Sequence, residues 1–179
     1  GGRVAQALEQ DPNVEVIVGL DTTEPTVELE RTEYVRVDAN YSILSRIVRA
    51  TQVDTVIHTF LVVDPTQMSR RAMHEINVIG TMNLFAAASA ASSTVRNVIV
   101  KSSTMVYGCA PEDPVWLNAD TPRSRPSRAP VERSLEAAEG VAWGGGVDRR
   151  HRAFVPGVHG LQHVEGLTRA ALADHDAVG

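Results

Sequence analysis

Val95-Arg-Asn-Val-Ile-Val-Lys-Ser-Ser-Thr-Met-Val-Tyr-Gly108 is the stretch around which the chain is organised. Its centre, Val98 to Val100, is a short β-branched apolar run, the pattern of a strand buried on both faces. The run passes into Ser102, Ser103 and Thr104 and turns at Gly108. Ligands of an open parallel sheet collect at the carboxyl ends of its strands, so hydroxyls at this tip are better placed for chemistry than for packing. The plainer alternative is that they simply end the strand.

Upstream, the same alternation of strand and helix repeats. Arg3 to Gln10 carries Val4, Ala7 and Leu8 on one helical face, and Asp11-Pro12-Asn13 stops it. Val14 to Leu20 reads as a strand with Asp21 at its tip, and Tyr34 to Val37 as another with Asp38 at its tip. Ile43 to Thr51 is an amphipathic helix with Ile43, Leu44, Ile47 and Val48 inward. Asp54 to His58 starts a further strand, expected to run on through Thr59, Phe60 and Leu61. A long helix lies within 65–91, and Gly80 inside it costs about 1 kcal/mol relative to alanine, which implies that something approaches the backbone there. Alternating strands and helices with short connections predict an α/β fold with a doubly wound parallel sheet.

Downstream, 109–130 is a proline- and arginine-rich loop, 131–139 a short helix, 140–160 glycine-rich and weakly patterned, and 163–173 a last helix. The net charge of −5 gives no electrostatic case for nucleic acid or an anionic membrane. No run is long enough to span a bilayer. The single cysteine, Cys109, permits no internal disulfide and fits a reducing, cytoplasmic setting. His159, His163 and Glu165 fix no metal geometry, so no metal is expected. The four methionines read as core filler. Lys101 is the only lysine.

Taken together, Gly1-Gly-Arg-Val-Ala-Gln-Ala-Leu8, Val18-Gly-Leu-Asp21, Val35-Arg-Val-Asp38, Asp54-Thr-Val-Ile-His58, Asn77-Val-Ile-Gly-Thr-Met-Asn83 and Ser102-Ser-Thr-Met-Val-Tyr-Gly108 resemble the extended short-chain dehydrogenase/reductase family, in its NAD-dependent epimerase/dehydratase branch of UDP-galactose 4-epimerase-like proteins. The likeness covers about residues 1–138. It implies a Rossmann-like domain over 1–138 that binds NAD, and a shortened remnant of a substrate-binding part over 139–179. The first strand and earlier glycines of the phosphate turn precede the matched stretch in that family, so the sheet is expected to be incomplete. Relatives often pair through the helix that here holds Asn77, which makes a homodimer the expected assembly.

The resemblance also implies roles. Gly1 corresponds to the last glycine of the phosphate turn, where a helix N-terminus faces a pyrophosphate. Asp21 corresponds to the ribose-binding acid, which favours NAD over NADP, and Asp38 with Ala39 to the pair beside the adenine. Thr59, Phe60, Asn77 and Ser102 join the cofactor-binding set. Ser103 corresponds to the catalytic hydroxyl that holds a substrate oxygen during hydride transfer, with a nucleotide sugar as the implied small-molecule substrate.

One part of the pattern is missing. The family's Tyr-x-x-x-Lys pair aligns with Val131 and Leu135 of Pro130-Val-Glu-Arg-Ser-Leu135, and neither can move a proton. Phe60 and Leu61 are also bulky where small residues are usual; they either crowd the nicotinamide side or pack under a loop. Two readings follow: an NAD-dependent epimerase or dehydratase, or a family member without turnover that acts as an NAD-binding sensor or scaffold.

Overall fold

A computed structural model describes residues 1–64, 66–108, 111, 113, 116–117, 121 and 130–144. Helix α1 (Gly2–Glu9) leads to strand β1 (Ile17–Asp21), which pairs in parallel with β2 (Thr32–Arg36), Ile17 opposite Thr32 and Asp21 opposite Arg36. Helix α2 (Tyr41–Thr51) connects to β3 (Thr55–His58). A composite helix follows: α3 (Arg70–His74), a π-helical stretch Glu75–Gly80 and α4 (Thr81–Ala88). Strand β4 (Asn97–Val100) pairs in parallel with β3, and after a 3₁₀ turn (Thr104–Tyr107) the described chain resumes in α5 (Pro130–Gly144). β3 and β4 are joined through the composite helix, whereas β1 and β2 are joined by the irregular segment 22–31; the two parallel pairs with their helices make this an incomplete Rossmann-like α/β arrangement.

The elements start and stop for local reasons. Asn40 caps α2, its side chain accepting the Ser42 amide at 3.0 Å, and Gln52 ends it in the left-handed region at φ 52°, its amide bonded to the Val48 carbonyl. Leu44 and Val48 are the buried positions of that helix, with Ile43 and Ile47 half-buried beside them. Leu44, Leu84 and Ala87 form one core cluster, against which Leu20 of β1, Val56 of β3, Ala39 and Phe60 pack. A second cluster joins Leu61, Met73, Val106, Leu135 and Ala138.

Several expectations are corrected. Strand β1 begins at Ile17, because Glu15 and Val16 lie exposed ahead of it. Strand β3 ends at His58, since Thr59–Leu61 turn away and Leu61 buries itself in the second cluster. Strand β4 is half-buried, not interior on both faces, because among the described residues it has a ladder partner on one edge alone. Helix α5 runs past Glu139 to Gly144. Met73 is core and Met68 and Met105 pack against it, whereas Met82 is 48% exposed. Cys109, the basic residues 149–152, the histidines at 159 and 163 and the last helix lie outside the described residues. Within them, no helix is long and apolar enough to cross a membrane, and no group of three His, Cys, Asp or Glu side chains could hold a metal.

The end of α1 is fastened by one carboxylate. Glu9 Oε1 accepts the amides of Glu30, Arg31 and Thr32 at 2.8–2.9 Å and the Thr32 hydroxyl at 2.7 Å. Arg31 returns the contact, its guanidinium donating to the Glu9 and Val14 carbonyls. The Thr32 hydroxyl and then these amides hold the Glu9 carboxyl down at about 2, against the opposing pull of desolvation. The folded state therefore favours the ionised form, so the stabilisation is complete above the unfolded value of 4.5 and drains away as pH falls from there towards 2. Urea midpoints measured between pH 7 and pH 3 should fall more steeply for the parent chain than for Glu9→Gln. Parallel curves would remove Glu9 from this role.

Candidate functional site

The described strands form two two-stranded parallel sheets, β1–β2 and β3–β4. Asp21 and Arg36 are opposite one another in the β1–β2 register. The segments after β2 and β3 meet at Gly80, where an added Cβ would lie 3.1 Å from the Ala39 Cβ and 3.2 Å from the Phe60 ring. Strand β4 joins through the Lys101 amide, which donates to the His58 carbonyl at 2.9 Å. Gly80 is thus the close approach that its place inside a helix implied. A side chain at this position would require Ala39 and Phe60 to give way by a few tenths of an ångström.

Gly1 stands at the N-terminus of α1, its carbonyl taking the Val4 and Ala5 amides, and a Cβ there would come 3.3 Å from Thr59 Oγ1. The helix start therefore lies close to Thr59, just past the end of β3. Asp21 is exposed and oriented. Its Oδ1 accepts the Thr22 and Thr23 amides at 2.7 and 3.2 Å, which leaves Oδ2 directed to solvent without a partner among the described residues. An anchored carboxylate with one spare oxygen is suited to accept ribose hydroxyls. Asp38 is exposed beside Ala39, whose carbonyl is held by Asn83 Nδ2 at 2.8 Å.

Phe60 and Asn77 are placed differently from simple lining residues. The Phe60 ring packs on His58, centroids 4.1 Å apart, and on the core cluster around Leu44. It fills space under the loop. Asn77 is fully buried, and its amide grips the backbone of Val62 from both sides: Oδ1 accepts the Val62 amide at 2.7 Å and Nδ2 donates to its carbonyl at 2.8 Å. Both ends of the Asn77 side chain are used on the loop after β3.

A buried relay supports that grip. The Thr81 hydroxyl donates to the Asn77 carbonyl at 2.6 Å and meets His58 Nε2 at 2.8 Å. Having spent its proton on the carbonyl, the hydroxyl must accept from the ring, which fixes His58 as the Nε2–H tautomer. Among the described residues His58 Nδ1 is buried without a partner, and burial, followed by the nearby Lys101 charge, lowers the ring to about 4. The imidazole is neutral at any pH near 7. The sequence places His58 inside a strand expected to run on through Leu61 and Thr81 inside the Asn77–Asn83 motif, and gives neither a role of its own. A Thr four residues after a helical Asn is the signal that would have found it.

Ser102 is buried and Ser103 half-buried at the tip of β4. Ser103 Oγ accepts the Met105 amide at 3.3 Å as the cap of the 3₁₀ turn, which orients the hydroxyl and leaves its proton available. Gly108 closes this turn at φ 100°, with Asp113 against it so tightly that an added Cβ would overlap the carboxylate. In α5, Leu135 is wholly inaccessible, packed with Leu61, Met73, Val106 and Ala138. No charge is offered from that position.

The sequence pattern described as the NAD dependent epimerase/dehydratase family matches residues 1–132. The uncharacterized protein Rv0501 of Mycobacterium tuberculosis is 35% identical over 131 residues, 70% of this chain and 35% of that protein. WbmH of Bordetella bronchiseptica, solved in complex with NAD+, has a TM-score of 0.65 at 21% identity, covering 82% of this chain and 48% of its own. MoeE5, solved with UDP-glucose and NAD, has a TM-score of 0.62 at 25% identity, covering 81% and 45%. This chain spans about a third of the length of the curated relatives it matches and under half of these solved structures.

Proposed function

Because the chain belongs to the NAD-dependent epimerase/dehydratase family, we propose that it holds NAD across its strand tips without carrying out the family's proton transfer, as a cofactor-dependent sensor or scaffold. In this reading Gly1 and the start of α1 face the pyrophosphate, and Asp21 accepts the adenosine ribose hydroxyls. Asp38 and Ala39 border the adenine, and the backbone of Thr59 and Phe60 forms the floor beyond. NAD supplies a hydride acceptor when bound. Ser102 and Ser103 end the crevice where the oxygen of a hydroxylated small molecule would sit, and the nucleotide sugar in the MoeE5 structure suggests that class. The observation that carries the reading is Leu135, a fully buried apolar side chain where the resemblance calls for lysine.

An active epimerase or dehydratase is the second reading, favoured by the oriented, half-buried hydroxyl of Ser103. Calorimetric titration with NAD, followed by product analysis on a panel of UDP-sugars, separates the two. We expect saturable NAD binding and no sugar product above the no-protein control. Absence of NAD binding would overturn the cofactor reading. Product formation abolished by Ser103→Ala would establish the enzyme instead.

A further inference from the structure

Among the described residues no ladder joins the β1–β2 pair to the β3–β4 pair. The loops that leave the two pairs are nevertheless held against each other, and the helical segment 77–83 does the holding. The loop after β2 is fastened at Ala39, whose carbonyl accepts Asn83 Nδ2 at 2.8 Å. The loop after β3 is fastened at Val62, whose amide and carbonyl both bond to the Asn77 side chain. Gly80 lies midway, three residues from each asparagine. There both loops reach the helix, since an added Cβ would lie 3.1 Å from the Ala39 Cβ and 3.2 Å from the Phe60 ring. Thr81 ties the second pair down further, through His58 Nε2 at 2.8 Å. The Asn83 bond crosses 44 residues of sequence, so no local turn stands in for it.

The two kinds of contact act in opposite senses. Side-chain amides draw each loop towards the helix, and close-packed carbon at Gly80 limits how far it can come. A glycine makes that limit as small as the backbone allows. We infer that Asn77, Gly80 and Asn83 form a spacing gauge: the two amides tie one loop of each strand pair to a single helix, and the bare backbone between them sets the distance from one loop to the other. The inference rests on the NAD-binding reading above, in which the loop after β2 borders the adenine and the loop after β3 forms the floor beyond. A bound dinucleotide would then span the distance that the gauge sets. Loops already held at the bound spacing lose less freedom when the ligand arrives, and that difference appears as affinity. All three act on the cofactor through the loops, as positioning residues.

The test compares two ligands of different reach, NAD and AMP, the adenine half that needs the loop after β2 alone. Affinities are measured by titration of the purified chain as parent, Asn83→Ala and Gly80→Ala, each checked by thermal melting. Asn83→Ala frees the adenine-side loop and should weaken NAD and AMP alike, by roughly fivefold, the scale of one hydrogen bond. Gly80→Ala keeps both amides but makes Ala39 and Phe60 give way by a few tenths of an ångström. It should weaken NAD by roughly threefold or more and change AMP by less than about twofold. General loosening of the fold would move the two ligands together in both variants. A parent that binds neither ligand would overturn the cofactor reading and this inference with it. A parent that binds both, with Asn83→Ala leaving AMP unchanged, or with Gly80→Ala weakening both ligands equally or neither, would overturn this inference alone. If Gly80→Ala does not fold, the Asn83→Ala result decides by the same criterion.

Discussion

Asn77→Leu should lower the stability of the chain by about 3 kcal/mol, the sum of two lost hydrogen bonds and the desolvation penalty on the groups they leave behind. The substitution keeps the volume close to that of the parent, so little of the loss is cavity. What disappears is the pair of bonds to Val62, at 2.7 and 2.8 Å, from a side chain with no exposed surface. The Val62 amide and carbonyl belong to a loop between a strand end and a helix, where no ladder can replace the partner. For a chain of this size such a loss is a fall in Tm of about 6–12 °C. Urea unfolding at 25 °C reads the energy, and amide exchange at Val62 reads its location, since it should speed up well before global unfolding. A cost under about 1 kcal/mol would mean that water replaces the amide and that Asn77 does not hold this loop.

Thr81→Val extends the same argument. It removes the hydroxyl that links the Asn77 carbonyl to His58 Nε2 and leaves a second unpaired nitrogen on a ring whose Nδ1 already lacks a partner. The two variants share one network, so their effects should not add, and the double variant should cost less than the sum.

Much of the frame could be seen in the sequence because the physics behind it is local. Alternating apolar runs gave the strand and helix order, and a glycine inside a helix pointed to the close approach of Ala39 and Phe60 at Gly80. Acids at the ends of β1 and β2 needed only the direction of the strands. The contacts that hold the site together are between residues far apart in the chain, and no short window contains them. Glu9 collects four donors from residues 21 to 23 positions away. Asn77 reaches Val62, and His58 reaches Thr81, 23 residues on. Phe60 was ambiguous for the same reason: only the fold shows its ring turned onto His58 and into the core. Strand β4 misled because apolar, β-branched composition marks a residue as able to be buried on both faces, and cover is supplied by neighbours that composition does not reveal.

Restoring lysine at position 135 should unfold the chain or bring it close to unfolding. Leu135 has no accessible surface and is surrounded by Leu61, Met73, Val106 and Ala138. Truncation to alanine there should cost about 2–5 kcal/mol, the range for a buried leucine whose cavity closes only in part. Leu135→Lys should cost more than truncation, because it adds an ammonium among the apolar side chains of this cluster. Burial favours the neutral amine, so the folded state should bind the proton more weakly than the unfolded chain, whose lysine titrates near 10.4. Stability of Leu135→Lys should accordingly rise with pH from 7 towards 10, while Leu135→Ala changes far less over the same interval. Urea unfolding of both variants at pH 7 and pH 9 measures this directly. A penalty under about 1 kcal/mol for Leu135→Lys would show that a long side chain can leave this pocket and reach the strand tips. The proton-transfer pair could then be introduced by Val131→Tyr with Leu135→Lys and assayed for turnover. A large penalty with the expected pH dependence means that position 135 is closed core, from which no charge can reach a substrate or cofactor.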